Sequence, residues 1–428
     1  MNKIGNLFKG DKGIWTVFLF LCLISIVEVF SASSTLTYKS QNYLSPLIYH
    51  CGTILMGLLV AIVTLNIPCR YFKLITPLML LLSYATLFGV LAFGQSINGA
   101  NRVIQLPGFT FQPSEIAKGT MVLFTAQILS ALQREDGSGA NPLAMKYILW
   151  VTLPAVALIG VENLSTAVIL FAVIYTMMFL GRMPWKQMAK LTGAGLVCVV
   201  IFLALVFSVG GMDKDAQQEL ADMKAGVKTE QIKKDKKDRS WFETVTHRFG
   251  TWRNRLLKKK GSGMPEDPSE YRITDDNFQV THANLAIASS GVIGKGPGNS
   301  VERDYLPQAF SDFIYAIIIE EMGIAGAILV VFLYVILLFR GARIAGRCEN
   351  NFPAYLVMGL ALLLVYQAVI NMAVAVDFGI VTGQPLPLVS KGGTSTIVNC
   401  AYIGAILSVS KSAKRVTQPP KHTTLVEA

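Results

Sequence analysis

Ten apolar runs, each near the length that crosses a bilayer, dominate this chain. They lie near 14–32, 46–66, 73–94, 114–132, 146–161, 165–181, 191–209, 312–339, 354–376 and 391–410. A spanning helix needs about 20 such residues. The 428 residues are 52% hydrophobic and only 15% charged, too few polar groups to cover a soluble fold of this size. The pattern predicts an all-α polytopic membrane protein of about ten transmembrane helices. The first run, Ile14 to Phe30, is long enough to remain as a spanning helix, so no cleavable signal peptide is expected. The six cysteines are scattered without metal or redox spacing and read as packing residues.

Charge sets the expected orientation. Lys3, Lys9 and Lys12 precede the first run, and Arg340, Arg343 and Arg347 follow the eighth. Arg70, Lys73, Arg134, Lys146, Arg182, Lys186, Lys190 and the basic tail fall on the same face. The short loops opposite hold little beyond Lys39 and Arg102. The positive-inside rule then puts both termini in the cytoplasm of a cytoplasmic (inner) membrane protein. The net charge of +11 reports topology, not nucleic-acid binding. The expected division is helices one to seven in 1–209, a large extracytoplasmic loop between helices seven and eight in 210–311, helices eight to ten in 312–412 and a cytoplasmic tail in 413–428. The loop's basic tract 213–240 reads as a solvated insert, its lysines nearly matched by acids.

Ionisable groups in a bilayer cost at least about 2.5–3.5 kcal/mol each at the centre, so three places matter. FQPSEIAKG, 111–119, puts Glu115 and Lys118 three apart on one helical face. They form either a structural ion pair or the charged wall of a polar cavity. YLPQAFSDFIYAIIIEEMG, 305–323, opens an apolar run yet carries Asp312, Glu320 and Glu321. Counting outward from Arg340 leaves the two glutamates near the outer hydrocarbon edge. Asp312 falls two turns further out, where water and an outer-leaflet substrate reach it. Alternatively it is an N-cap. DFGIVTGQPLPLVSKGGTSTIVN, 377–399, is too rich in glycine and proline for regular helix. Such backbone survives at membrane depth only inside protein or along a cavity. Its end, Lys391 to Ser395 including Thr394, is a cationic, hydroxyl-rich pocket suited to phosphate, or else a tight re-entrant turn. SSGVIGKGPGNS, 289–300, lacks the GxxxxGK[ST] spacing of a nucleotide-binding loop.

Taken together these segments resemble the FtsW/RodA/SpoVE family. Four family motifs recur in order: GANRVIQLPGFTFQPSEIAK (99–118), SSGVIGKGPGNS (289–300), LPQAFSDFIYAIIIEEMG (306–323) and NMAVAVDFGIVTGQPLPLVSKGGTS (371–395). The family motifs read SGGLFGKGLG.S, LPE.H.DFIFA.I.EE.G and N.G…G….G..LP.ISYGGSS. This chain departs at Gln308, Phe310, Asp377, Ile380 and Lys391, and Asn163 replaces the Asp of a PDLG motif.

The resemblance implies a cell-wall glycosyltransferase that polymerises lipid II, the undecaprenyl-pyrophosphate-linked disaccharide peptide, at the outer membrane face. It implies a class B penicillin-binding protein, the cognate transpeptidase, as partner. Asp312 matches the family's catalytic aspartate and would act as base on the acceptor hydroxyl. Arg102, Lys118 and Lys391 become candidates for the pyrophosphate, and Ser114, Glu115, Asn299, Thr394 and Ser395 complete the candidate substrate site. No cofactor is required by this reading, though a divalent cation, Mg or Mn, is a candidate aid at the pyrophosphate. A helix-one SAS sequence (residues 31–33) favours the division type, at the septum with other division-machinery membrane proteins, over the elongation type. A lipid II transporter and a non-catalytic scaffold remain the alternatives.

Overall fold

The computed structural model describes residues 9–33, 45–93, 95–97, 100–106, 109–135, 138–209, 277–306, 309–379 and 382–416. The basic insert 213–240 and the tail beyond Val416 therefore lie outside the described residues.

Each of the ten apolar runs forms a helix: α1 (Lys12–Ala32), α2 (Ser45–Asn66), α3 (Cys69–Phe93), α4 (Pro113–Ala131), α5 (Leu143–Glu162), α6 (Leu164–Leu180), α7 (Trp185–Val209), α9 (Ile314–Ala345), α10 (Asn351–Ala375) and α11 (Thr394–Val416). A short α8 (Phe278–Ala288) stands in the far part of the long loop. The protein is an all-α, multi-pass membrane protein. Among the described residues, seven helices are long and apolar enough to cross a membrane: α1, α2, α3, α5, α7, α9 and α10. The tally of about ten spans is thus reached in helices rather than in independently qualifying spans. α6 has only 17 residues, while α4 buries Glu115 and Lys118 and is less apolar for it.

Two features go beyond the sequence expectation. Three short antiparallel strands, β1 (Gln95–Ile97), β2 (Ala100–Leu106) and β3 (Phe109–Phe111), link α3 to α4. In the β2–β3 pair Ile104 faces Phe111 and Leu106 faces Phe109. In addition, α9 starts later than expected, at Ile314, with Phe313 as its N-cap residue. Asp312 is therefore not the cap; it lies in the turn before the helix.

The chain divides into two compact units, residues 1–184 with 279–428, and residues 185–278. In the second unit α7 is a long, apolar helix. In the first unit α10 is the axis. Most of its apolar stretch is buried, and it packs on α4, α6, α9 and α11. α2 packs along α11, and α1 along α9. The lower end of α1 is fixed where Arg340 donates two hydrogen bonds from Nη2, 2.7 and 2.8 Å long, to both carboxylate oxygens of Asp11. α10 is unbroken and rises roughly 30 Å from Asn351 to Asn371, close to the roughly 30 Å hydrocarbon core. Asn371 bonds the Asp312 carbonyl, whereas Arg340 lies near the end of α9 from which the chain turns into α10. Asp312 and the Asp11–Arg340 pair therefore stand at opposite ends of the bundle.

Candidate functional site

Glu320 and Glu321 are both fully buried, and the glycine-rich loop explains how. At Gly323 the helix α9 breaks (φ 69°, ψ −171°), in a region open essentially to glycine alone. The break exposes backbone groups, and the loop answers them. Lys295 N donates to Glu320 O at 3.0 Å and Gly296 N to Glu321 O at 2.8 Å. Ile324 N and Ala325 N donate to Gly291 O and Val292 O, both at 3.3 Å. The carboxylates are gripped as well. Glu321 accepts from Gly298 N, Ser300 N and the Ser31 hydroxyl of α1. Glu320 accepts from Val301 N, Glu302 N, the Ser300 hydroxyl and Lys295 Nζ, the last at 2.6 Å. Arg303 Nη1 donates to Ser31 Oγ at 2.7 Å. These donors satisfy side chains whose burial would otherwise be costly. The loop that superficially suggests a nucleotide site is a collar around them. Asn299 belongs to it too, donating from Nδ2 to Lys295 O at 2.9 Å.

The turn that carries Asp312 immediately precedes α9. Its side chain is half-exposed and accepts from Ser311 Oγ at 3.0 Å. Its backbone is clamped from two sides. Asn371 Nδ2 of α10 donates to Asp312 O at 2.9 Å and to Gln384 O at 2.6 Å. Ser390 Oγ donates to Ser311 O at 2.6 Å. The irregular loop 382–393 is thereby tied to the aspartate turn. Further bonds fix the loop in the bundle. Ser25 Oγ of α1 donates to Val389 O at 2.6 Å, Tyr334 Oη of α9 to Pro387 O at 2.5 Å, and Gln384 Nε2 to Thr166 Oγ1 of α6 at 2.7 Å. Leu388 is buried with φ 67°, a strained conformation for a bulky residue that so many bonds can hold. The loop is buried in protein, as irregular backbone at this depth requires.

Lys391 sits at the loop's end. Its N–H donates to Phe310 O at 2.9 Å, and its ammonium stands 5.1 Å from the centre of the Phe310 ring. Thr394 and Ser395 open α11 beside it, and the Ser395 hydroxyl is buried without a hydrogen-bond partner.

Lys118 is placed differently. It is 1% exposed and donates to Glu115 Oε1 at 2.8 Å and Gln367 Oε1 at 3.1 Å. Gln367 in turn donates to Pro385 O of the same loop. Ser114 accepts from Gln112 Nε2 at 3.2 Å. This geometry favours the ion-pair reading, with Glu115 and Lys118 as a floor beneath the loop. Removing one member of a buried pair strands the other charge. Lys118→Met is expected to lower stability by about 3–5 kcal/mol, seen as a large fall in melting temperature in detergent. Glu115→Gln/Lys118→Met together should recover much of that loss. Arg102 lies in β2, and its side chain is outside the described residues.

The sequence reading passes over the polar residues that hold this assembly. Gln367 and Asn371 stand four apart in the otherwise apolar α10, and that spacing was the available signal. Asn163, which replaces an Asp, caps α6 by accepting from Thr166 N. Asp377 takes φ 58° where the family motif has a glycine, a conformation Asp tolerates better than most residues.

The FtsW/RodA/SpoVE model, described as cell cycle protein, matches residues 11–214 and 259–415. The chain belongs to this family. Family members similar to it include a probable peptidoglycan glycosyltransferase FtsW of Halomonas elongata, 28% identical over 96% of this chain and 93% of the relative. Peptidoglycan glycosyltransferase MrdB of Escherichia coli K12 is 26% identical over 95% of each chain. Among solved structures, a chain from a study titled "Structural coordination of polymerization and crosslinking by a peptidoglycan synthase complex" superposes with a TM-score of 0.67 at 22% identity, covering 96% of this chain and all of that one. The rod shape determining protein RodA of Thermus thermophilus gives 0.61 at 21% identity over 95% and 98% of the two chains. These two likenesses establish that the chain shares the fold of the family's solved members.

Among the described residues no three His, Cys, Asp or Glu side chains group as cation ligands.

Proposed function

We propose that this protein is a peptidoglycan glycosyltransferase that polymerises lipid II into glycan strands at the outer face of the cytoplasmic membrane. The observation that carries the reading is the placement of Asp312. It is half-exposed, it lies at the end of the bundle opposite the Asp11–Arg340 pair, and its turn is bonded to both α10 and the 382–393 loop. Asp312 takes the proton from the acceptor sugar's 4-hydroxyl. The freed oxygen attacks the donor's anomeric carbon, with inversion, and the bond to the lipid pyrophosphate breaks. Glycosyl transfer of this kind needs a positioned base and positive charge on the departing anion. Lys391 and the start of α11, with Thr394 and Ser395, supply the latter, helped by the helix dipole.

In this reading both termini are cytoplasmic, residues 210–311 form the extracytoplasmic loop, and a class B penicillin-binding protein crosslinks the strands produced. The FtsW names among relatives and the helix-one SAS sequence favour work at the division septum. The MrdB relative keeps an elongation-type polymerase as the second reading. The test is purified protein with lipid II, with and without the cognate transpeptidase. Glycan strands on a gel support the proposal; unreacted lipid II in both assays defeats it. A fluorescent fusion at mid-cell, against one along the side wall, separates the two cellular roles.

A further inference from the structure

We infer that Phe310 and Lys391 act as one unit, in which the Phe310 ring is the positioning residue that holds the Lys391 ammonium, unneutralised, for an anionic pyrophosphate oxygen of the substrate. This rests on the polymerase reading and names which cation meets the leaving group.

The argument is one of elimination among cations whose side chains are described; that of Arg102 lies outside them. Lys118 is sealed in the interior and bonded to Glu115 and Gln367. Lys295 is spent on Glu320 at 2.6 Å, Arg303 lies 3.8 Å from Glu321, and Arg340 is bonded to Asp11. Each of these charges is balanced by a carboxylate. Lys391 differs: it is half-exposed, its ammonium faces the Phe310 ring, and the other side chain it acts on among the described residues is the His50 imidazole, which is not an acid. A ring attracts an ammonium without cancelling its charge. It therefore fixes the position of the cation and leaves it free to meet an anion.

Phe310 is suited to the task by where it lies. It is two residues before Asp312, and its carbonyl accepts the Lys391 N–H. Ser390 Oγ bonds the adjacent Ser311 carbonyl. The backbone thus sets ring, ammonium and candidate base in one register. The unpartnered buried hydroxyl of Ser395 and the amino end of α11 complete an anion-binding corner. The family motifs place a histidine and a tyrosine at these two positions. Here the ring and the cationic side chain have exchanged places, which accounts for two departures at once.

The test uses the purified full-length protein with lipid II. Lys391→Met keeps the stem and removes the charge; it should lower kcat/KM about 100-fold, as loss of a transition-state donor does. Lys391→Arg should stay within a few-fold of wild type. Phe310→Leu should cost about tenfold alone and almost nothing more in the Lys391→Met background, because neighbours that act through each other are not additive. Inorganic pyrophosphate should inhibit the wild type, and its inhibition constant should rise about tenfold in Lys391→Met. An active wild type with an equally active Lys391→Met, or additive losses in the double variant, overturns the inference and leaves the polymerase reading standing. A wild type that makes no glycan sinks both. Equal melting temperatures, and the Arg variant, separate these results from misfolding.

Discussion

Asp312→Ala is expected to reduce glycan-strand synthesis from lipid II by at least about 1,000-fold, within the 10²–10⁴ that general-base catalysis supplies. The fold should survive. The clamp on this turn runs through backbone: Asn371 bonds the Asp312 carbonyl and Ser390 the Ser311 carbonyl, and neither needs the carboxylate. Asp312→Asn should be equally inactive, since an amide matches the carboxylate in shape yet cannot accept the proton. The measurement is the initial rate of polymerisation by purified variants with matched melting temperatures. A variant that still polymerises at a tenth of the wild-type rate would remove Asp312 from the mechanism.

The second large effect concerns folding, not chemistry. Gly323→Ala should leave little folded protein, with a loss beyond the 4–5 kcal/mol that marks exceptional substitutions. Two costs add. The backbone at Gly323 lies in a region that residues with a Cβ avoid. A Cβ there would also stand 2.3 Å from Val292 O and 2.5 Å from Gly294 N, closer than atoms can approach. Those contacts are backbone and cannot swing aside. Moving them breaks the collar and leaves Glu320 and Glu321 buried without their donors. Gly294→Ala meets the same wall from the other side, 2.3 Å from Glu321 O, and should fail alike. Gly291, with positive φ but open space around it, should tolerate alanine with a far smaller loss. The readout is the yield of monodisperse protein in detergent and its melting temperature.

The helices were legible in the sequence because bilayer thickness fixes the length of an apolar run. The motif order then identified the family. Other features depend on contacts between distant segments. That Glu320 and Glu321 are held by loop 291–302 requires knowing that a loop some 20 residues earlier folds back on a broken helix. The sequence counts their depth but not their donors. The start of α9 at Ile314 hinged on which residue takes the cap geometry, and Phe313 carries no capping side chain to announce it. The three short strands were missed because β1 and β3 have three residues each, too few to show alternation. Gln367 and Asn371 were visible as costly polar residues in an apolar helix, but their partners in the 382–393 loop were not.

The most direct measurement places the purified protein in liposomes with one orientation and supplies lipid II only to the leaflet on the Asp312 side. The account predicts glycan strands on that side, and none when lipid II is confined to the opposite leaflet. Lipid II that crosses the bilayer without being joined would contradict it, and would mark the polar interior as a path for transport.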